Sequence, residues 1–498
     1  MNPHFRPFWL AACCGLLVFV TTAGAQTLND KVRQATLDNG LKLLVVERHD
    51  APTFTAYLTL GVGAVDETSA TRGVAHLLEH MLFKGTRQIG TRDWKGEAPL
   101  LAKIEKVGSR IDALKDKPEV NAAELAQLRQ TLASLQAEHR QYVVKDEFSR
   151  IYAENGGVGY NAFTSKDMTA YLVSLPANKL ELWAALESDR MQNAVLREFY
   201  TERDVIKEER RRSYEASPGG KLYERLIANA FTLHPYRNPI IGWESDIDHL
   251  TLAETRQFLH SYYAPTNAVI ALVGDIDFDR ARALVERYFG SIPAGTPVPP
   301  VTAVEPPQGG EKRLRVEFDA EPQLAIAFHK PTLPDPADYL FDLIDQVLAQ
   351  GRTSRLYRAL VVEQQLATSV STYGAPGSRY PNLFVISAVP RYPHTAAEVE
   401  AAIYRELERL ATEPVSADEL ERARTRLQTD RLRYLKGNEG LARMLSYYQV
   451  VAGDWRYLVD YDALVAGFEA EQLRQTVATY LVPENRTVAI LDKDGGLK

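Results

Sequence analysis

The chain is nearly without cysteine: Cys13 and Cys14 are its only two, side by side in the first apolar run. Beyond them no disulfide can form, and a metal site would have to be built from His, Asp or Glu. Long apolar stretches are equally scarce. One runs from Phe8 to Val20, short for a membrane span, and no later segment approaches the needed length, so we expect no stable membrane span in the mature chain. An excess of positive charge is missing too: the net charge is −7, which argues against nucleic acid as a partner. Histidine is sparse, ten in all, so where two fall close together the spacing carries information.

The apolar run follows a weakly basic start (His4, Arg6) and precedes Ala23-Gly24-Ala25, a small-residue cleavage pattern. Residues 1–25 therefore read as a secretory signal, and the mature protein as periplasmic or secreted. Leu10-Ala11-Ala12-Cys13 is superficially like a lipoprotein box, but the run continues well past Cys13, which disfavours lipid anchoring.

The densest chemical signal is His76-Leu-Leu-Glu-His80. On a helix, His76, Glu79 and His80 share one face while Val74, Leu77, Leu78, Met81 and Leu82 form an apolar one. Two neutral imidazoles four residues apart can hold one zinc ion, and the adjoining carboxylate lies beside the open coordination position, placed to act as general base toward a water. The order reverses the commoner His-Glu-x-x-His signature. The bland alternative is an amphipathic helix with two surface histidines.

Such a site needs a third protein ligand. A helical stretch over residues 197–213 puts Glu202, Val205, Ile206 and Glu209 on one face, the two carboxylates about 10 Å apart along the axis. Glu209 is the candidate ligand, with Glu208 as its competitor, and Glu202 would be the carboxylate that orients an imidazole. Between these helices, Asn161-Ala162-Phe163-Thr164 follows a glycine-rich stretch and reads as an exposed strand edge, either ordinary or able to take an extended peptide by strand addition.

Two halves are visible. A linker rich in proline spans 293–311, separating a first half over 26–292 from a second over 312–498. Each opens with alternating strand-like segments followed by an apolar helix. His76 to Gly85 overlays Asp342 to Gly351, with Asp342, Asp345 and Gln346 in place of the metal residues, and Pro265-Thr-Asn267 overlays Pro483-Glu-Asn485. Glu202 aligns with Glu421, which sets Glu209 against Gln428. The first half is longer by about 48 residues, the difference of the two offsets. Residues 99–144, with Leu125, Leu128, Leu132 and Leu135 in helical register, account for this as an inserted helical hairpin, which reads as a surface element more than as a substrate gate or a docking arm.

Taken together, Gly73 to Thr86, Asn161 to Thr164, Glu202 to Glu209, His234-Pro-Tyr236 with Gly242, and Tyr263 to Asn267 resemble the pitrilysin/insulinase family of zinc metallopeptidases, in its half-length branch. The resemblance implies an α+β fold of two homologous halves, each a mostly antiparallel sheet of about six strands packed with helices. It implies one Zn2+ per chain on His76, His80 and Glu209, Glu79 as general base and Glu202 in support. The implied activity is endopeptidase cleavage of peptides or unfolded segments enclosed in a dimeric chamber. A non-catalytic peptide-binding or assembly subunit is the other role found in such families. Many active members carry an Arg and a Tyr in the second half that grip substrate; the best placement puts Thr368 and Ala375 there, which favours a heterodimer with a metal-free homologue over a homodimer.

Overall fold

The computed structural model describes residues 28–119 and 121–493. The signal sequence expected over residues 1–25 lies outside the described residues.

The first half builds a six-stranded sheet from β1 (Val32–Thr36), β2 (Lys42–Glu47), β3 (Thr53–Leu60), β4 (Val158–Thr164), β5 (Thr169–Pro176) and β6 (Ala268–Gly274), in the order β1-β2-β6-β3-β5-β4. The second half builds a five-stranded sheet from β7 (Lys312–Glu317), β8 (Gln323–Lys330), β9 (Ala367–Ala375), β10 (Asn382–Pro390) and β11 (Arg486–Asp492), in the order β7-β11-β8-β10-β9. In each, one pair is parallel, β2 with β6 and β7 with β11, and all others are antiparallel. Deleting β1 makes the two orders identical, so the repeat seen in the sequence is a repeat of topology. The second sheet has five strands rather than about six: ahead of β7 lies the proline-rich linker, in which the prolines interrupt the N–H donors a further strand would need. Even the turns repeat. Pro265–Asn267 leads into β6 and Pro483–Asn485 into β11, and Asn267 and Asn485 each donate to a carbonyl five residues back, Tyr262 at 3.0 Å and Tyr480 at 2.8 Å.

Strand β2 reads Leu-Leu-Val-Val because both of its faces are buried. Leu43 and Val45 join the core beneath Leu77, Leu78 and Met81 of the helix Val74–Met81. Leu44 and Val46 face the other way, where they are covered by Leu441, Leu445 and Tyr448 of the helix Asn438–Val451, which belongs to the second half. The exchange is mutual: Leu222, Leu226 and Ile227 of the helix Pro218–Ala230, from the first half, pack on Val316, Ala325, Ala327 and Ala489 of the second sheet. At about 1.5–3 kcal/mol per buried large apolar side chain, these two helices bind the halves together by on the order of 10 kcal/mol.

The inserted hairpin consists of helices Trp94–Leu114 and Ala122–His139, with Pro99 inside the first. Asp93 caps one by accepting from the Lys95 amide at 3.0 Å, and Asn121 caps the other by accepting from the Ala123 amide at 3.0 Å. No helix among the described residues is long and apolar enough to cross a membrane.

Candidate metal centre

In the helix Val74–Met81 the apolar positions Val74, Ala75, Leu77, Leu78 and Met81 are buried, leaving His76, Glu79 and His80 at the edge of a cleft. The helix starts abruptly. Gly73 sits at φ +87°, and the Glu67 carboxylate accepts from the amides of Gly73 and Ala75, both at 2.9 Å, occupying donors that no helical carbonyl can reach.

Across the cleft runs the helix Phe199–Arg210. One oxygen of Glu209 lies 3.6 Å from His76 Nε2 and the other 3.4 Å from His80 Nε2. Donor atoms of these three residues all fall within 4.8 Å of one another. Nitrogen and oxygen ligands at about 2.0–2.2 Å in a tetrahedron stand about 3.4 Å apart, so this donor set fits a zinc ion. Glu202 is buried and its carboxylate lies 3.3 Å from His80 Nδ1, which directs the Nε2 lone pair into the cleft. His76 Nδ1 is buried and has no hydrogen-bond partner among the described residues. Glu208 points away, exposed and ion-paired with Arg211 at 2.7 Å. Val205, expected on the face shared by Glu202 and Glu209, is instead 43 % exposed.

Burial, with a smaller contribution from His80, depresses the His76 imidazole to about 3, so it is neutral and free to donate its lone pair. For His80, burial pulls downward but Glu202, Glu209 and Glu79 outweigh it and raise the ring above the usual histidine range. Burial raises the Glu79 carboxyl, partly offset by the 2.6 Å hydrogen bond donated by Thr164. Burial also works to raise Glu202, yet His80 and Lys84 prevail and hold it low.

Lys84 was not singled out by sequence. Its ammonium bonds to Glu202 and lies 3.5 Å from Glu198. The helix ends at Met81 and Lys84 sits in the turn beyond it, its amide donating to the Met81 carbonyl at 3.0 Å, so no helical spacing pointed to it.

Strand β4 closes one end of the first sheet; among the described residues it pairs only with β5, so its outer side is a free edge. Its alternation splits the four residues read as a substrate edge. Ala162 is buried in the core shared with the helix Val74–Met81, and Thr164 faces Glu79. Asn161 is exposed, and Phe163 lies on the opposite face, under the Arg443 guanidinium at 5.2 Å. Any peptide contact at Ala162 would therefore be made by its backbone.

The second half reproduces part of this constellation without the imidazoles. Asp342 and Asp345 occupy the helix Pro336–Leu348; Tyr461 donates to Asp342 at 2.6 Å, and Thr372 donates to Asp345 much as Thr164 does to Glu79. Thr368 is exposed and Ala375 buried on β9, so neither offers a cationic or phenolic grip.

Comparison with known proteins agrees with this architecture. The model of the insulinase family, peptidase family M16, matches residues 42–122 and 125–244, and that of the peptidase M16 inactive domain matches residues 249–427. The zinc protease PqqE of Helicobacter pylori is 25% identical over 98% of this chain and 99% of its own. The uncharacterized zinc protease YmxG of Bacillus subtilis is 22% identical over 94% and 99%. Among solved structures, a protease from Helicobacter pylori superposes with a TM-score of 0.78 at 24% identity, covering 93% of this chain and 99% of that one. The first half of the periplasmic protease PqqL from Escherichia coli gives 0.69 at 17% identity, covering 93% and 92%. Both structural likenesses bear on the fold.

Proposed function

Because this chain belongs to the insulinase family of zinc proteases, peptidase family M16, we propose that it is a zinc endopeptidase acting on peptides or unfolded segments, with His76, His80 and Glu209 holding the metal. The observation that carries this reading is the convergence of two imidazoles and a carboxylate on one cleft, with a fourth group, Glu79, bonded to Thr164 beside them.

Bound there, a zinc ion supplies a Lewis acid that polarises a peptide carbonyl and lowers the pKa of water to about 7. Glu79 takes the proton of the attacking water and passes it to the departing amine; its raised pKa brings the carboxylate nearer the pH at which it must both accept and donate. Thr164 holds that carboxylate in place. Glu202 keeps His80 in the tautomer that offers Nε2. The free edge of β4 takes the substrate as an added strand, through its main chain, which requires the peptide to be extended.

We further read the chain as one side of a chamber closed by a second homologous chain, a copy of itself or a metal-free relative. The absence of an Arg or Tyr at 368 and 375 supports the latter. The apolar run and small-residue motif over residues 1–25 support a periplasmic site of action.

The test is hydrolysis of a long unfolded peptide by the zinc-loaded chain, with Glu79→Gln as the blank. Cleavage above the blank is expected; a zinc-loaded chain no more active than its blank would favour a non-catalytic, peptide-binding role.

A further inference from the structure

The inserted hairpin does not hang from the surface. Its first helix carries Glu97 and its second His139, both buried, and Glu97 bridges His139 to Arg197, which is fully buried two residues ahead of the helix Phe199–Arg210. Glu97 accepts from His139 Nε2 at 2.8 Å and from Arg197 Nε at 2.8 Å and Nη2 at 3.2 Å. Arg197 spends its remaining donors on the loop that follows the histidine helix: Nη1 reaches the carbonyls of Lys84 at 2.7 Å and Ile89 at 3.2 Å, and Nη2 that of Thr86 at 2.7 Å. All five N–H groups of the guanidinium are then used. A buried Arg without Glu97 would be an uncompensated charge, so the hairpin is what allows this knot to exist.

The hairpin also touches the glutamate helix along its length. Tyr200 lies flat on Gly108, where a Cβ would stand 2.0 Å from the ring. Arg203 donates to Asp112 at 3.0 Å, and Gln136 donates to Thr201 at 3.3 Å. These contacts flank Glu202, and the same helix carries Glu209 about two turns further on.

We propose that the hairpin is a brace for the metal centre, and that Glu97, Asp112 and His139 are positioning residues which set Glu202 and Glu209 against His76 and His80. The inference rests on the zinc reading of that centre. It assigns the inserted residues neither a gate nor a docking arm, but the task of holding one wall of the cleft at the distance the donors require. A helix shifted by even 1 Å would spoil a donor set whose members must all meet at about 2 Å from one point.

The experiment compares Asp112→Asn, Asp112→Glu, Gln136→Ala and Glu124→Gln in the full chain. Glu124 pairs with Arg110 on the exposed outer side of the hairpin and serves as control. Amide hydrogen exchange across residues 199–210 is read in the metal-free protein, and zinc affinity by competition with a chelator. Asp112→Asn should speed exchange in that helix about tenfold and weaken zinc binding by about 10- to 100-fold, the range for loss of an outer partner. Asp112→Glu should recover part of both, Glu124→Gln should change neither, and thermal midpoints should stay close together. Gln136→Ala removes only a surface contact, so it reports a smaller change in the same direction even if the buried variants fold poorly. Wild-type exchange and wild-type zinc affinity in both Asp112→Asn and Gln136→Ala would overturn the brace. Failure of the wild-type chain to bind zinc would instead sink the reading of the metal centre, and the exchange measurement would still decide the brace.

Discussion

Thr164 illustrates how much a single hydroxyl can contribute at this site. Its hydrogen bond to Glu79, at 2.6 Å, both fixes the carboxylate's rotamer and opposes the upward pull of burial on its pKa. Thr164→Val keeps the shape and removes the donor. A hydrogen bond to a charged group is worth about 1.5–3 kcal/mol, so kcat should fall by about 10- to 100-fold with zinc content unchanged, measured by steady-state peptide hydrolysis beside metal analysis. An unaltered kcat would show that Glu79 needs no such support. The sequence reads Thr164 as part of a strand that could take substrate, and it does end the strand Val158–Thr164, but the side chain's partner could not be read there. The Thr and the Glu are 85 residues apart, and only the packing of β4 beside the histidine helix joins them. Neither Lys84 nor Arg197 could be read from the sequence: Lys84 lies in the turn past the end of the histidine helix, and nothing local distinguishes a knot-forming arginine from a surface one.

At the level of elements, the two ligand-bearing helices are held by different means. The histidine helix is set by its own start: Gly73 in a left-handed conformation, with the Ile241 carbonyl oxygen 2.6 Å from where a Cβ would be, and Glu67 across the first amides. Gly73→Ala would add a strained backbone and a clash. We expect a loss of about 1–3 kcal/mol in denaturant unfolding, with weaker zinc retention as the helix shifts; an unchanged midpoint would contradict this account of the start. The glutamate helix depends on neighbours distant in sequence, the hairpin at one end and, at the other, Arg210, which donates to Glu224 at 2.6 Å and to the Gly242 carbonyl at 2.8 Å. Its face was legible because the i, i+3, i+7 spacing of carboxylates and apolar residues is a local property. The hairpin was legible as a hairpin for the same reason, from its leucine register and composition. Its contacts were not, because Glu97, Asp112 and His139 look in sequence like the many charged residues that surround them.

For the whole molecule, the duplication was the most readable feature, since the Pro-x-Asn turns and the apolar helices recur in both halves, at offsets that differ only by the length of the hairpin, and the strand orders repeat. What sequence could not reveal is that each half lends a helix to the other's sheet. The helices Pro218–Ala230 and Asn438–Val451 are amphipathic either way, and amphipathicity does not name the surface an element covers. The second half carries its own relic of the constellation, Asp345 with Thr372, in a helix whose imidazoles are replaced by Asp342 and Gln346. That asymmetry supports the proposal that the chemistry belongs to the first half. The central claim is thus one metal per chain, held by His76, His80 and Glu209, with the neighbouring Glu208 outside the set. The most direct measurement is the zinc content of the purified chain beside Glu209→Gln and Glu208→Gln. About one zinc per chain in the parent and in Glu208→Gln, and almost none in Glu209→Gln, is the predicted result; full zinc in Glu209→Gln, or its loss in Glu208→Gln, would contradict it.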